Sequence, residues 1–174
     1  AQWPEHLPLA FRLSATDWLD GGWDVEDTVE LAQKLKLEGV DMIDCSSGGV
    51  GGKERPRRME IKQGFQVPFA AQVRAEAQLP TMAVGFLWDA ARCEEIISLG
   101  EADMVALARE LLDDPNWPLH AAAQLGADEG HGKWPVEAGW WLMKRDRLLS
   151  KLGLRSGGSL VAPFRARLAL SLRF

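Results

Sequence analysis

The sequence predicts an α/β fold built on parallel strands, and three observations carry that expectation. Short apolar runs suited to strands alternate with amphipathic helical stretches, and the strand-helix units recur about every 30 residues. Two of the helices end at a glycine, and the segments that follow, GVDMID and EADMVA, resemble each other. The composition, 174 residues with 47% hydrophobic and 26% charged, is that of a globular chain and excludes a disordered, collagen-like or simple coiled-coil protein.

Taken in order, residues 7–15 (LPLAFRLSA) read as a first strand interrupted by Arg12, followed by a loop rich in Gly, Asp and Trp. Asp24 can cap a helix over VEDTVELAQKLKLE, in which Val25, Val29 and Ala32 share a face and Gly39 supplies the stop. Residues 40–47 (VDMIDCSS) form a mostly buried second strand, and the loop GGVGGKERPRRMEIKQG that follows is longer than a compact fold needs. A helix over PFAAQVRAEAQ has Pro68 in its first turn. The third strand is TMAVGF, 81–86, followed by a helix begun by Asp89 over AARCEEIISL and ended by Gly100. The fourth is ADMVALAR, 102–109. Beyond it come a helical stretch broken by DDPNWP, another over LHAAAQLG, and a basic helix near WWLMKRDRLLSKLG.

Parallel strands joined by helices need right-handed crossovers, in either a doubly wound sheet or a (βα) barrel. Eight units take about 250 residues, so four units are close to half a barrel with an appendage. An isolated half would expose two strand edges and an apolar inner face, and is expected to need a partner. The organisation expected is four βα units over 1–126, a Trp-rich and basic helical segment over 127–155, and a linker plus strand over 156–174. In that tail, SGGS reads as a flexible join. After it, Leu168, Leu170, Leu172 and Phe174 alternate with Arg167, Ala169, Ser171 and Arg173, as on the two faces of a strand.

The sequence also excludes other classes. Nothing approaches the roughly 18 consecutive apolar residues of a membrane span, and no signal peptide is evident, so a soluble, cytoplasmic chain is expected. A net charge of -5 argues against a nucleic-acid binder, because phosphate-backbone affinity needs surplus Lys and Arg. Cys45 and Cys93 cannot build a disulfide framework or a zinc site, and read as reduced core residues. The chain has eight Trp and no Tyr, from which no function follows.

Chemistry in a βα barrel sits at the C-terminal ends of the strands, with phosphate usually at the loops after strands seven and eight. Here those positions fall on Gly85, where a missing Cβ lets backbone amides approach a phosphate, and on Arg109, whose fork of donors suits a dianion. The helix after Arg109 would add its N-terminal dipole. Taken alone, a Gly or Arg at a strand end is most often a turn residue or a solvated charge. Arg12, flanked by apolar residues, must reach solvent or neutralise something in the barrel mouth. His6, His120 and His131 are scattered without partners at ligand spacing, so no metal site is expected. Asp41 and Asp44 read as separate structural residues facing opposite sides. The Lys53, Arg55, Arg57, Arg58 cluster is either a phosphate lure or a solvated loop, and Trp140 with Trp141 is an aromatic lid, an interface anchor or simple packing. A Schiff-base aldolase is disfavoured because none of the four strands carries a lysine.

The segments LPLAFRLSATDW, GVDMIDCSSGG, MAVGF and ADMVALARELLDDPNWP, in that order, resemble the C-terminal half of the Old Yellow Enzyme family of flavin-dependent ene reductases, in its bacterial thermophilic-like class. The resemblance runs from about residue 2 to about residue 145. It implies strands five to eight of a (βα)8 TIM barrel. That barrel binds FMN non-covalently, is reduced by NADPH or NADH, and passes hydride to the β-carbon of an activated alkene. It implies that Arg12 is the strand-five arginine near the flavin N1 and O2 edge, where it would stabilise negative charge on reduced flavin. It further implies that Gly85, Ala108 and Arg109 lie at the FMN phosphate, with Ala108 standing where the family usually has Gly. WPVEAGWW resembles an aromatic segment that in this class reaches a neighbouring subunit's active site, which implies a homo-oligomer; Ala138 replaces the Tyr often found there.

No catalytic residue is expected in this chain. The family's substrate-anchoring His pair (or His and Asn), its flavin-tuning Cys or Thr, its proton-donating Tyr and its flavin-contacting Gln all belong to the N-terminal half. The tail LVAPFRARLALSLRF resembles that half's opening segment, which implies a circularly permuted or split enzyme completed by a second chain. The expectation is therefore an FMN- and NAD(P)H-dependent ene reductase subunit active only with the complementary N-terminal half. The alternative is a non-catalytic half-barrel assembly module with residual phosphate or flavin binding.

Overall fold

The computed structural model describes residues 3–48 and 60–154. The Lys53–Arg58 cluster and the tail expected over 156–174 lie outside the described residues. The chain divides into two compact units, Ala1–Glu110 and Leu111–Phe174.

The first unit is a four-stranded sheet of β1 (Ala10–Ser14), β2 (Met42–Ser46), β3 (Thr81–Ala83) and β4 (Met104–Val105), in that spatial order. Every neighbouring pair is parallel, as the strand-helix alternation predicts. The crossovers are α1 (Val25–Leu37), α2 (Val67–Ala77) and α3 (Ala90–Ser98). Asp24 closes a capping box on α1: its side chain accepts from the Asp27 N–H at 3.0 Å while Asp27 accepts from the Asp24 N–H at 3.2 Å. Such a cap is worth about 1 kcal/mol. Asp89 caps α3 by accepting from Arg92 N–H at 2.9 Å, and Pro68 sits in the first turn of α2.

Register divides the sheet into two faces. The row Leu13, Cys45, Ala83, Val105 and the row Phe11, Ile43, Thr81 point to the side where the core lies, and Ile43, Cys45, Thr81 and Ala83 have no exposed surface. The helix α2 packs on β2, β3 and α1, and its buried side is Val67, Ala70, Val73 and Ala77. Of the α1 residues expected on one face, Val29 and Ala32 are buried and Val25 is half-buried, with Thr28 joining them. Both cysteines are free and buried.

The opposite face carries Ala10, Arg12 and Ser14 of β1, Met42, Asp44 and Ser46 of β2, and Met82 and Met104. None of these is buried, and Met104 is 48% exposed. This exposed face of a parallel four-stranded sheet is consistent with part of a barrel.

All four strands are shorter than the apolar runs suggest, and β4 most of all. The expected strand over 102–109 is only Met104–Val105, and Arg109, expected at a strand end, instead opens the five-residue helix α4 (Arg109–Asp113). Likewise β3 stops at Ala83, two residues before Gly85. The physical cause lies in the β3 backbone. Gly85 adopts φ +117 and Phe86 φ +58, which turns the chain out of the extended conformation, so that among the described residues the last bond between the two strands runs from the Ala106 N–H to the Ala83 carbonyl at 2.9 Å.

The second unit contains α5 (Trp117–Gln124) and α6 (Val136–Lys151). Its two histidines are held by carboxylates, His120 Nδ1 on Asp114 at 2.6 Å and His131 Nε2 on Asp146 at 2.7 Å, and both rings lie against Trp134. Gly139 is required where α6 crosses the preceding loop, because an added Cβ would come within 2.6 Å of the His131 carbonyl oxygen.

Candidate functional site

A parallel βα sheet gathers the loops leaving its strand C-termini along one edge, where consecutive strands place residues far apart in sequence side by side. The loops after β3 and β4 meet in this way. The Arg109 guanidinium carbon lies 5.5 Å from the centroid of the Phe86 ring, and Phe86 stands edge-on to Trp88 at 4.7 Å. Phe86, Ala108 and Arg109 are all exposed. Among the described residues, neither the Gly85 N–H nor the Phe86 N–H donates to an acceptor. A cation and an aromatic face therefore meet at this spot, beside a buried Gly85 and backbone held at a positive φ that is costly for Phe86.

Gly85 has a second reason to be glycine. The Gly64 N–H donates to the Gly85 carbonyl at 2.7 Å, and a Cβ on Gly85 would approach the Gln66 nitrogen to 2.9 Å and Gln66 Cβ to 3.0 Å. Gln66 is itself buried, and its Nε2 donates to Ser47 Oγ at 2.6 Å, which also accepts from Trp18 Nε1 at 3.0 Å. The loops leaving β1, β2 and β3 are thus tied to the start of α2.

Arg12 lies on the open sheet face. Its Nη1 donates to Asp44 Oδ2 at 2.8 Å, with the Arg12 side chain 58% exposed. The arginine both reaches solvent and neutralises a carboxylate. Asp44 Oδ1 is buried and accepts no hydrogen bond among the described residues. Asp41 plays the separate role expected of it, accepting from the Leu9 N–H at 2.8 Å. Strand order places Arg12 three strand spacings from β4, roughly 14 Å, so the structure joins Gly85, Phe86 and Arg109 but sets Arg12 at a distance from them.

Burial pushes the Cys45 thiol up to about 12, with the neighbouring Asp44 charge adding to it, and burial likewise pushes Cys93 up to about 11. Neither is a nucleophile near neutral pH. Among the described residues no group of three or more His, Cys, Asp or Glu side chains could hold a metal, and no helix is long and apolar enough to cross a membrane. In the second unit, Trp140 and Trp141 stand edge-on at 4.5 Å, with Lys144 Nζ 3.5 Å above the Trp140 ring, and both remain exposed.

Sequence reasoning missed Phe86 and Gln66, and read Asp44 as a structural residue without its partner Arg12. Phe86 follows Gly85 in MAVGF, and an aromatic directly after a strand-terminal glycine is a signal that could have been read. The pairing of Arg12 with Asp44 depends on strand register and has no local signature.

Fold and site together define an α/β protein of parallel βα units in which Arg109 stands against Phe86 beyond the ends of β3 and β4. The sequence pattern of the NADH:flavin oxidoreductase / NADH oxidase family matches residues 3–128, and the chain belongs to that family, as its resemblance to the Old Yellow Enzymes indicated. It is 46% identical over 119 residues to an NADPH dehydrogenase of Geobacillus sp. (strain WCH70), 68% of this chain and 34% of that protein. It is 44% identical over 119 residues to an NADPH dehydrogenase of Geobacillus thermodenitrificans, with the same shares covered. Against an NADPH dehydrogenase of Bacillus subtilis (strain 168) it is 40% identical over 121 residues, 70% of this chain and 35% of that protein. The chain thus spans about a third of the length of the curated relatives it matches.

Proposed function

We propose that this chain supplies strands five to eight of a (βα)8 barrel that binds FMN, accepts hydride from NADPH or NADH and delivers it to the β-carbon of activated alkenes. On this reading it acts only when the complementary N-terminal half-barrel is provided by another chain. The family, the relatives named NADPH dehydrogenase, and the open sheet face all support it. One observation carries it: the Arg109 guanidinium meets the Gly85–Phe86 turn, whose two N–H groups have no acceptor among the described residues.

That corner fits the phosphate of FMN, which is a dianion wanting amide donors and a bidentate cation. FMN, when bound, supplies the two-electron carrier that no side chain can provide. Arg109 and the Gly85 and Phe86 amides would hold the phosphate, with the exposed Ala108 alongside. Arg12, on the open face, would lie at the flavin N1 and O2 edge and offset negative charge there. Trp140 and Trp141 offer an aromatic pair for a neighbouring subunit's site. The groups that hold substrate and donate the proton come from the other half.

The test is titration of FMN into this chain mixed with a complementary N-terminal half-barrel, followed through flavin absorbance near ~450 nm and by native mass spectrometry. A yellow two-chain complex that oxidises NAD(P)H is expected, with Arg109→Ala weakening FMN at least about tenfold, the worth of one charge-assisted hydrogen bond. A complex that binds no flavin would make the chain a non-catalytic assembly module. Flavin affinity unchanged by Arg109→Ala would remove Arg109 from the phosphate.

A further inference from the structure

We propose that Asp44 sets how much positive charge Arg12 presents to the flavin, so that Asp44 holds the reduction potential below the value that Arg12 alone would impose. The inference rests on Arg12 lying at the flavin, as argued above.

The two residues are direct register partners on adjacent strands, joined by a single Nη1–Oδ2 bond of 2.8 Å. The contact is one-pronged, leaving Asp44 Oδ1 buried with no donor among the described residues. The rest of that sheet face is uncharged: Ala10, Ser14, Met42, Ser46, Met82 and Met104 surround the pair. Among the described strands, Arg12 and Asp44 are therefore the one cation and the one anion facing the barrel interior. A charge pair in such surroundings acts as a dipole, and its field at a neighbouring ring is the difference of two terms. Arg12 favours the reduced flavin and Asp44 opposes it. A carboxylate short of one hydrogen-bond donor is poorly screened, so its opposing effect is large.

The sign separates this role from simple scaffolding. If Asp44 only held Arg12 in place, removing it would release the arginine and mimic Arg12→Ala, which lowers the potential. If Asp44 attenuates the charge, Asp44→Asn leaves Arg12 unopposed and raises the potential. The measurement is the flavin midpoint potential of the FMN-loaded assembly of this chain with its complementary half, for the wild type, Arg12→Ala, Asp44→Asn and Asp44→Glu. The expected result for Asp44→Asn is about a tenfold gain in reduced-form over oxidised-form affinity, a rise of about 30 mV for a two-electron couple. Asp44→Glu, which keeps the charge, should return the potential toward wild type. Where Asn is not tolerated, Asp44→Ser removes the same charge and is read the same way.

A potential that falls or stays fixed on neutralising Asp44, while Arg12→Ala lowers it, overturns this inference and leaves the proposed function standing. An unchanged potential in Arg12→Ala overturns the placement of Arg12, and an assembly that loads no flavin overturns both.

Discussion

Replacing Gly85 with Ala tests the packing logic of the corner. Two costs add at this position. The backbone sits at φ +117, where an L side chain is strained by about 1–2 kcal/mol. The new Cβ would lie 2.9 Å from the Gln66 backbone nitrogen, and that atom cannot rotate away because Gln66 is buried and its side chain is bonded to Ser47. Overpacking of this kind costs about 1–3 kcal/mol. The sum, about 2–5 kcal/mol, corresponds to a fall in Tm of about 4–20 °C, at about 2–4 °C per kcal/mol. Gly39→Ala is the internal control: φ is +89, but nothing lies within 4 Å of the added Cβ, so only the strain of about 1–2 kcal/mol remains. Thermal unfolding followed by circular dichroism should show Gly85→Ala losing clearly more than Gly39→Ala. Equal losses would mean that the contact with Gln66 has no energetic weight, and the argument that the 64–66 segment props the Gly85 turn would fail.

Two further outcomes follow from charge and burial. Asp103 is held below the ordinary carboxylate value of 3.8, first by its hydrogen bonds from Arg74 and then by the Thr81 N–H and the Arg74 charge, against a desolvation that raises it. Its folded value is depressed, so its stabilising contribution is present above the unfolded value of about 3.8 and is lost as the pH falls through the lower folded value. Urea unfolding between neutral pH and about pH 3 should therefore show a shallower acid loss for Asp103→Asn than for wild type, and parallel curves would refute the assignment. With Cys45 near 12 and Cys93 near 11, a thiol reagent at about pH 8 should label neither in the folded chain and both in urea; rapid native labelling would contradict their burial.

Much of the fold was legible because it is local. A helix cap is a bond between residues three apart, so Asp24 and Asp89 could be identified from the sequence, as could Pro68 at a first turn and the βα alternation that makes the strands parallel. Strand lengths were less legible. The apolar runs 81–86 and 102–109 look alike in composition, but a ladder ends where backbone geometry ends it, and the left-handed turn at Gly85 and Phe86 leaves β4 with two residues. Arg109 accordingly opens a helix, which no apolar pattern announces.

The class of the protein can be read along the chain: parallel βα units, buried thiols, and a family membership carried by four ordered segments. Which residues touch depends on the folded arrangement. Arg12 and Asp44 are 32 residues apart, and Gly85 is propped by the start of α2 rather than left open to a ligand alone. Arg109 reaches Phe86 because β3 and β4 are neighbours. Such contacts depend on register between strands, which is set by the packing of the whole sheet against its helices and leaves no imprint on any short stretch of chain.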